Sequence, residues 1–222
     1  MINNDYEGLV ELVSKIVKEK IAESNLLNIS SGEYSIPVGV SNHHIHVSRE
    51  VLDILYGKGY ELTPLKDLSQ PGQYAAKETV TIVGPKMRAI QNVRILGPIR
   101  GATQVELSKT DGIYLGINLP TRMSGDIKGS APVTVVGPRG SVHLSEGAIR
   151  AMRHIHMHPT DADRFQVRDK EIVDIEIPGE SGIILKNVTI RVNEEYRLEL
   201  HIDTDEGNAA NISTGAFCKI IK

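Results

Sequence analysis

The chain has 222 residues, a formal net charge of −3 and few aromatics, with no Trp, two Phe and seven Tyr. This length supports one large domain or two small ones. The near-balanced charge and scarce aromatics exclude the basic footprint and stacking platform of a nucleic-acid binder, and no polybasic patch argues for a membrane surface.

The first segment, "YEGLVELVSKIVKEKIAES", places Leu9, Val10, Leu12, Val13, Ile16, Val17 and Ile21 near a 3.6-residue period with charges between them. That pattern predicts an N-terminal amphipathic helix. Its apolar stripe would pack on its own domain or a dimer partner, or dock on another protein. "NLLNISSGEYS" then reads as a linker. No basic n-region opens the chain, and no apolar run reaches membrane-spanning length. With the single cysteine, Cys218, the expectation is a soluble protein of a reducing compartment, its thiol buried and inert.

The texture then changes to short β-type runs: "YSIPVGVS", "ETVTIVG", "NVRILGP", "TQVELS", "APVTVVGP", "EIVDIEIPG", "LKNVTIRV" and "RLELHID". Gly, Pro and Asp clusters separate them, as in a sandwich or barrel. Short helices are predicted at "SREVLDILYG", "LSKTDGIYLG", "LSEGAIRAM" and "HPTDADRFQ", the first capped by Ser48 and the last by Thr160. Strict βαβ alternation is absent, which disfavours a Rossmann sheet or a TIM barrel.

Two histidine clusters stand out, "SNHHIHVS" and "RHIHMHPT". In an extended strand, residues i and i+2 share a face. His44 and His46 can therefore aim two imidazoles at one point, and so can His154 and His156, the usual start of a first-row metal site. A third ligand must come from elsewhere. Glu106 and His201 are candidates, because both are polar residues inside apolar runs, where an unpaired polar group is costly. They fit a weak internal repeat: Asn92-Val93 and Asn187-Val188 lie 95 residues apart, and the same offset carries Glu106 onto His201. His43, on the opposite strand face, and His143 and His158 read as ordinary histidines. Glu50 stands at a cupin-like spacing from His46, but in a helical pattern.

The stretches "VGVSNHHIHVS", "LTPLKDLSQPGQYAAKETVTIVGPK", "VRILGPIRGATQVELSKTD", "RHIHMHPTDA" and "LELHIDTDEGNA" resemble the PduL-type phosphate propanoyltransferases. The resemblance implies a mainly β fold of two β-barrel domains capped by short helices and pseudo-duplicated. It implies a division into an N-terminal helix and linker (1–31), one barrel of 32–43 plus 153–222, and another of 44–152. It implies interconversion of acyl-CoA (propanoyl or acetyl) and phosphate with acyl phosphate and coenzyme A at two zinc ions. One zinc would be held by His44, His46 and Glu106, the other by His154, His156 and His201, with Arg100 binding phosphate. His43 departs from the family pattern, in which Arg is more usual before the pair, and would alter the rim of the site. The bacterial cytoplasm is the expected location, or a bacterial microcompartment whose shell or core proteins the N-terminal helix would contact, and a homodimer is the default assembly.

Overall fold

The computed structural model describes residues 35–221, so the expected N-terminal helix and linker fall outside the described residues. In chain order the described elements are β1 (Ile36–Ser41), β2 (His44–His46), α1 (Arg49–Tyr56), β3 (Pro64–Asp67), β4 (Tyr74–Val83), β5 (Ala89–Gly97), β6 (Gln104–Glu106), α2 (Lys109–Leu115), β7 (Thr121–Arg122), β8 (Ala131–Val136), β9 (Ser141–Ala151), β10 (His154–Met157), α3 (Pro159–Phe165), β11 (Ile172–Ile177), β12 (Ile183–Val192), β13 (Glu199–Asp203), α4 (Thr204–Ala209) and β14 (Phe217–Ile221).

The strands close into two six-stranded barrels. One runs β1-β13-β10-β12-β11-β14, and β14 pairs back to β1. The other runs β4-β5-β2-β6-β9-β8, with β8 pairing both β9 and β4, while β3 and β7 extend it at β4 and β9. Closure removes the unpaired edges that an open sheet of this size would expose. Each barrel has its own apolar core. Val80, Ile82, Val93 and Ile95 fill one; Ile175, Ile177, Val188 and Ile190 fill the other.

The repeat glimpsed in the sequence is a repeat of pairing. β2 lies parallel to β5 and antiparallel to β6; β10 lies parallel to β12 and antiparallel to β13. Asn92 and Asn187 both have positive φ, 59° and 58°, a left-handed conformation that asparagine tolerates better than most residues. The two halves also exchange strands. β1 precedes the His-x-His strand of one barrel but pairs in the other, and β9 stands in the same relation to β10.

Two local expectations are corrected. "LSEGAIRAM" forms part of β9, not a helix. Its backbone is taken by three neighbours, β6, β7 and β8, so tertiary pairing overrides a helix-like pattern. At α3 the N-cap is His158, not Thr160: the His158 ring accepts from the Thr160 backbone N–H, and Pro159 takes the first turn, where its missing N–H is harmless. Ser48 caps α1 as expected.

Candidate active site between the two barrels

The site begins with strand parity. On β2, Ile45 is fully buried in its barrel core, which sends His44 and His46 to the opposite face; on β10, Ile155 does the same for His154 and His156. Register then supplies the third member of each set. His44 sits directly opposite Glu106 on β6, and His154 directly opposite His201 on β13. Within each triad, one donor atom per residue lies within 4.8 Å of those of the other two.

Hydrogen bonds orient the first histidine of each pair alike. His44 Nδ1 lies 2.9 Å from the Asn42 carbonyl, and His154 Nδ1 2.8 Å from the Met152 carbonyl. Each Nδ1 must therefore donate, which leaves Nε2 as a lone-pair donor. A backbone carbonyl behind a ligating imidazole is a common way to fix its tautomer. His46 Nδ1 and both ring nitrogens of His156 are buried with no hydrogen-bond partner among the described residues, a costly condition unless something else satisfies them. Burial holds His46 down to about 3, His154 to about 4 and His156 to about 2, so these rings are neutral at physiological pH. Burial would raise Glu106, but His44, His46 and the Ser124 hydroxyl outweigh it and hold the carboxyl below its ordinary range.

Both triads face one cavity of about 620 Å³, whose wall also includes Arg100, Arg191, Tyr196, Lys66, Ser69 and Ser124. That volume suits a substantial ligand. Arg100 is half-buried on the loop after β5, where its backbone N–H donates to the Val47 carbonyl. Burial, with Arg191 adding to it and Glu106 opposing it, draws the guanidinium below its ordinary value. Arg191 lies over the Tyr196 ring, which in turn packs on His156 with centroids 4.1 Å apart. The two guanidiniums offer forked donors to an anion, on a lining that also carries Lys66 and the carboxylates of Asp67, Glu106 and Glu199.

The sequence model of the phosphate propanoyltransferase family matches residues 37–213. The chain belongs to that family. It is 50% identical over 223 residues to the phosphate propanoyltransferase of Lachnoclostridium phytofermentans, covering all of both chains. It is 54% identical over 191 residues to that of Thermotoga maritima, covering 86% of this chain and 90% of the relative. It is 47% identical over 211 residues to that of Clostridioides difficile, covering 95% and 98%. This phosphate propanoyltransferase-family chain is thus an acyltransferase.

All seven residues singled out in the sequence meet at this cavity. The histidines read as ordinary belong to neither triad, although His43 lines a small second pocket with His44, Glu106, His154 and His201. His43 lies 3.4 Å from Asp111, His143 pairs with Thr134, and His158 caps α3. Cys218 is buried in a barrel core, and burial pushes its thiol up to about 12. Sequence reasoning missed Arg191, Tyr196, Ser124, Gln104 and Glu199. The last two carried a signal, since each stands two residues before a third triad member and so shares its strand face.

Proposed function

We propose that the chain interconverts propanoyl-CoA or acetyl-CoA plus phosphate with the acyl phosphate plus coenzyme A. The observation that carries this reading is the convergence of two triads and Arg100 on one cavity. The proposed metal ligands are His44, His46 and Glu106 for one zinc ion, and His154, His156 and His201 for the other. The donor sets fit, because neutral imidazoles and an ionised carboxylate suit zinc, and buried ring nitrogens of both triads lack hydrogen-bond partners. Bound there, the ions would supply Lewis acidity, stabilising charge that develops on the thioester oxygen and on the departing sulfur.

The chain's own residues do the rest. Arg100 offers phosphate a forked, charge-assisted contact that orients one oxygen toward the thioester carbonyl. The guanidinium keeps its donors for this task, since no protein hydrogen bond or ion pair engages it among the described residues. Attack forms the phosphate–acyl bond, the C–S bond breaks, and coenzyme A leaves with the electron pair on sulfur.

Transfer is direct, without an acylated residue. Cys218 is sequestered in a core, and Ser124 Oγ donates to Glu106, a carboxylate proposed to be committed to a metal. His44 Nδ1, 3.4 Å from Ser41 Oγ, already donates to Asn42 and has no lone pair there to activate that hydroxyl. Incubation with acyl-labelled propanoyl-CoA and phosphate tests the reading. One acyl phosphate should form per coenzyme A released, and no label should stay on the denatured protein. Labelled protein, or coenzyme A release without phosphate, would refute it.

The two barrels would form the domains 32–43 plus 153–222 and 44–152, and the assembly would be a homodimer. Residues 1–27 would dock on shell or core proteins of a bacterial microcompartment. A fluorescent protein carrying them that stays diffuse in shell-producing cells would contradict that docking.

A further inference from the structure

The strands that supply the third member of each triad carry a second polar residue on the same face. On β6 it is Gln104, two residues before Glu106; on β13 it is Glu199, two residues before His201. The pairs occupy matching register positions, Gln104 opposite His46 and Glu199 opposite His156. Their chemistry is exchanged. In one barrel the triad member is a carboxylate and its neighbour an amide; in the other the triad member is an imidazole and its neighbour a carboxylate.

The contacts follow the exchange. Gln104 Nε2 donates to Glu106 Oε1 at 2.6 Å, while Gln104 Oε1 accepts from the Gly125 backbone N–H at 2.8 Å, which fixes the amide's orientation. Glu199 Oε2 lies 2.7 Å from His201 Nε2, in contact but without hydrogen-bond alignment. Glu199 is itself held. The Ser69 hydroxyl, from the other barrel's β3–β4 loop, donates to Oε2. That loop is pinned by Gln70, which donates to the Arg197 carbonyl and accepts from the Arg197 N–H. Space for the carboxylate comes from Gly39, where a Cβ would stand 3.0 Å from both Glu199 Cδ and Oε1. A buried carboxylate at the barrel junction, given a glycine-made cradle and a hydroxyl from across it, has a purpose beyond packing. The His154/His156/His201 triad has no anionic member of its own, and an imidazole that binds a metal is typically backed by a carboxylate or carbonyl.

We propose that Glu199 is the positioning carboxylate of the His154/His156/His201 site: it sets the His201 ring and gives that site the negative charge that Glu106 gives the other. The proposal rests on the dinuclear reading above. Its test is zinc release to a chromophoric chelator from the full-length, zinc-loaded protein, comparing wild type with Glu199→Gln and Ser69→Ala. The wild type should release two ions. In Glu199→Gln one ion should be held about 10- to 100-fold more weakly, the size expected for losing a partner behind a ligand, with the other unchanged. Ser69→Ala, which keeps the carboxylate but frees it, should weaken the same ion by less, and it carries the test if Glu199→Gln does not fold. Unchanged release of both ions in the variants would overturn the proposal. So would equal weakening of both, the mark of a general structural role. A wild type that binds no zinc would instead refute the dinuclear reading beneath it.

Discussion

Replacing Arg100 with lysine separates charge from geometry at the proposed phosphate contact. The guanidinium sits half-buried in the cavity wall, and no protein acceptor competes for its donors among the described residues. Lysine preserves the positive charge but not the planar fork, so one of two parallel charge-assisted bonds to phosphate is lost. A hydrogen bond to a charged group is worth about 1.5–3 kcal/mol. With each 1.4 kcal/mol worth about tenfold, kcat/KM for phosphate should fall roughly 10- to 150-fold. The assay follows coenzyme A release from propanoyl-CoA at varied phosphate, then at varied thioester. The KM for the thioester should change less than about threefold and the melting temperature by less than about 2 °C, because the side chain holds no other element in place. A variant with normal phosphate dependence but a raised thioester KM would refute the assignment of Arg100 to phosphate.

Glu78 is buried on the core face of β4, where it accepts from the Tyr60 hydroxyl and the Thr63 N–H, both at 3.0 Å. Burial would raise its carboxyl, but these hydrogen bonds outweigh that and hold it below the ordinary 4.5. Its contribution is therefore present above about pH 4.5 and lost as pH falls through the folded value. Glu78→Gln should cost about 1–3 kcal/mol near pH 7 and flatten the acid limb of melting temperature against pH; an unchanged limb would contradict this. A Cβ at Gly84 would stand 2.2 Å from the Leu115 carbonyl oxygen and 2.7 Å from Leu115 Cβ. Gly84→Ala should therefore cost about 1–3 kcal/mol, read by thermal unfolding as a fall of about 2–12 °C, and a melting temperature at or above wild type would contradict it. Ser108→Ala removes the side chain that caps α2 and half of its capping box with Asp111. A loss of about 1 kcal/mol in chemical denaturation is expected.

What was legible in the sequence depended on how local its cause was. The alternation of "HIHV" around Ile45 and of "HIHM" around Ile155 is a property of three consecutive residues, so both histidine pairs and their shared face could be read directly. The 95-residue offset added Glu106 and His201, because the two halves pair their strands alike. β9 was not legible, since its helix-like composition yields to three pairing partners distant in sequence, and Gly147, at φ 138°, interrupts the regular strand. Exposed β3 and the two residues of β7 carry no alternation to read. The six-residue α4 contains a glycine that masks a helical pattern, although its Asp203/Glu206 capping box was present in "DTDE". Ser69, Ser124 and Arg191 reach the cavity only through pairing and packing between segments distant in sequence, which no local pattern reports.

Phosphate-dependent acyl transfer should need both triads and the metal proposed to bind them. The most direct measurement is coenzyme A release from propanoyl-CoA, with and without phosphate, by protein of measured zinc content before chelation, after chelation and after zinc is restored. The expected result is about two zinc ions per chain, release only with phosphate, loss of release with the metal, and recovery on reconstitution. Full phosphate-dependent activity in protein stripped of metal would contradict it.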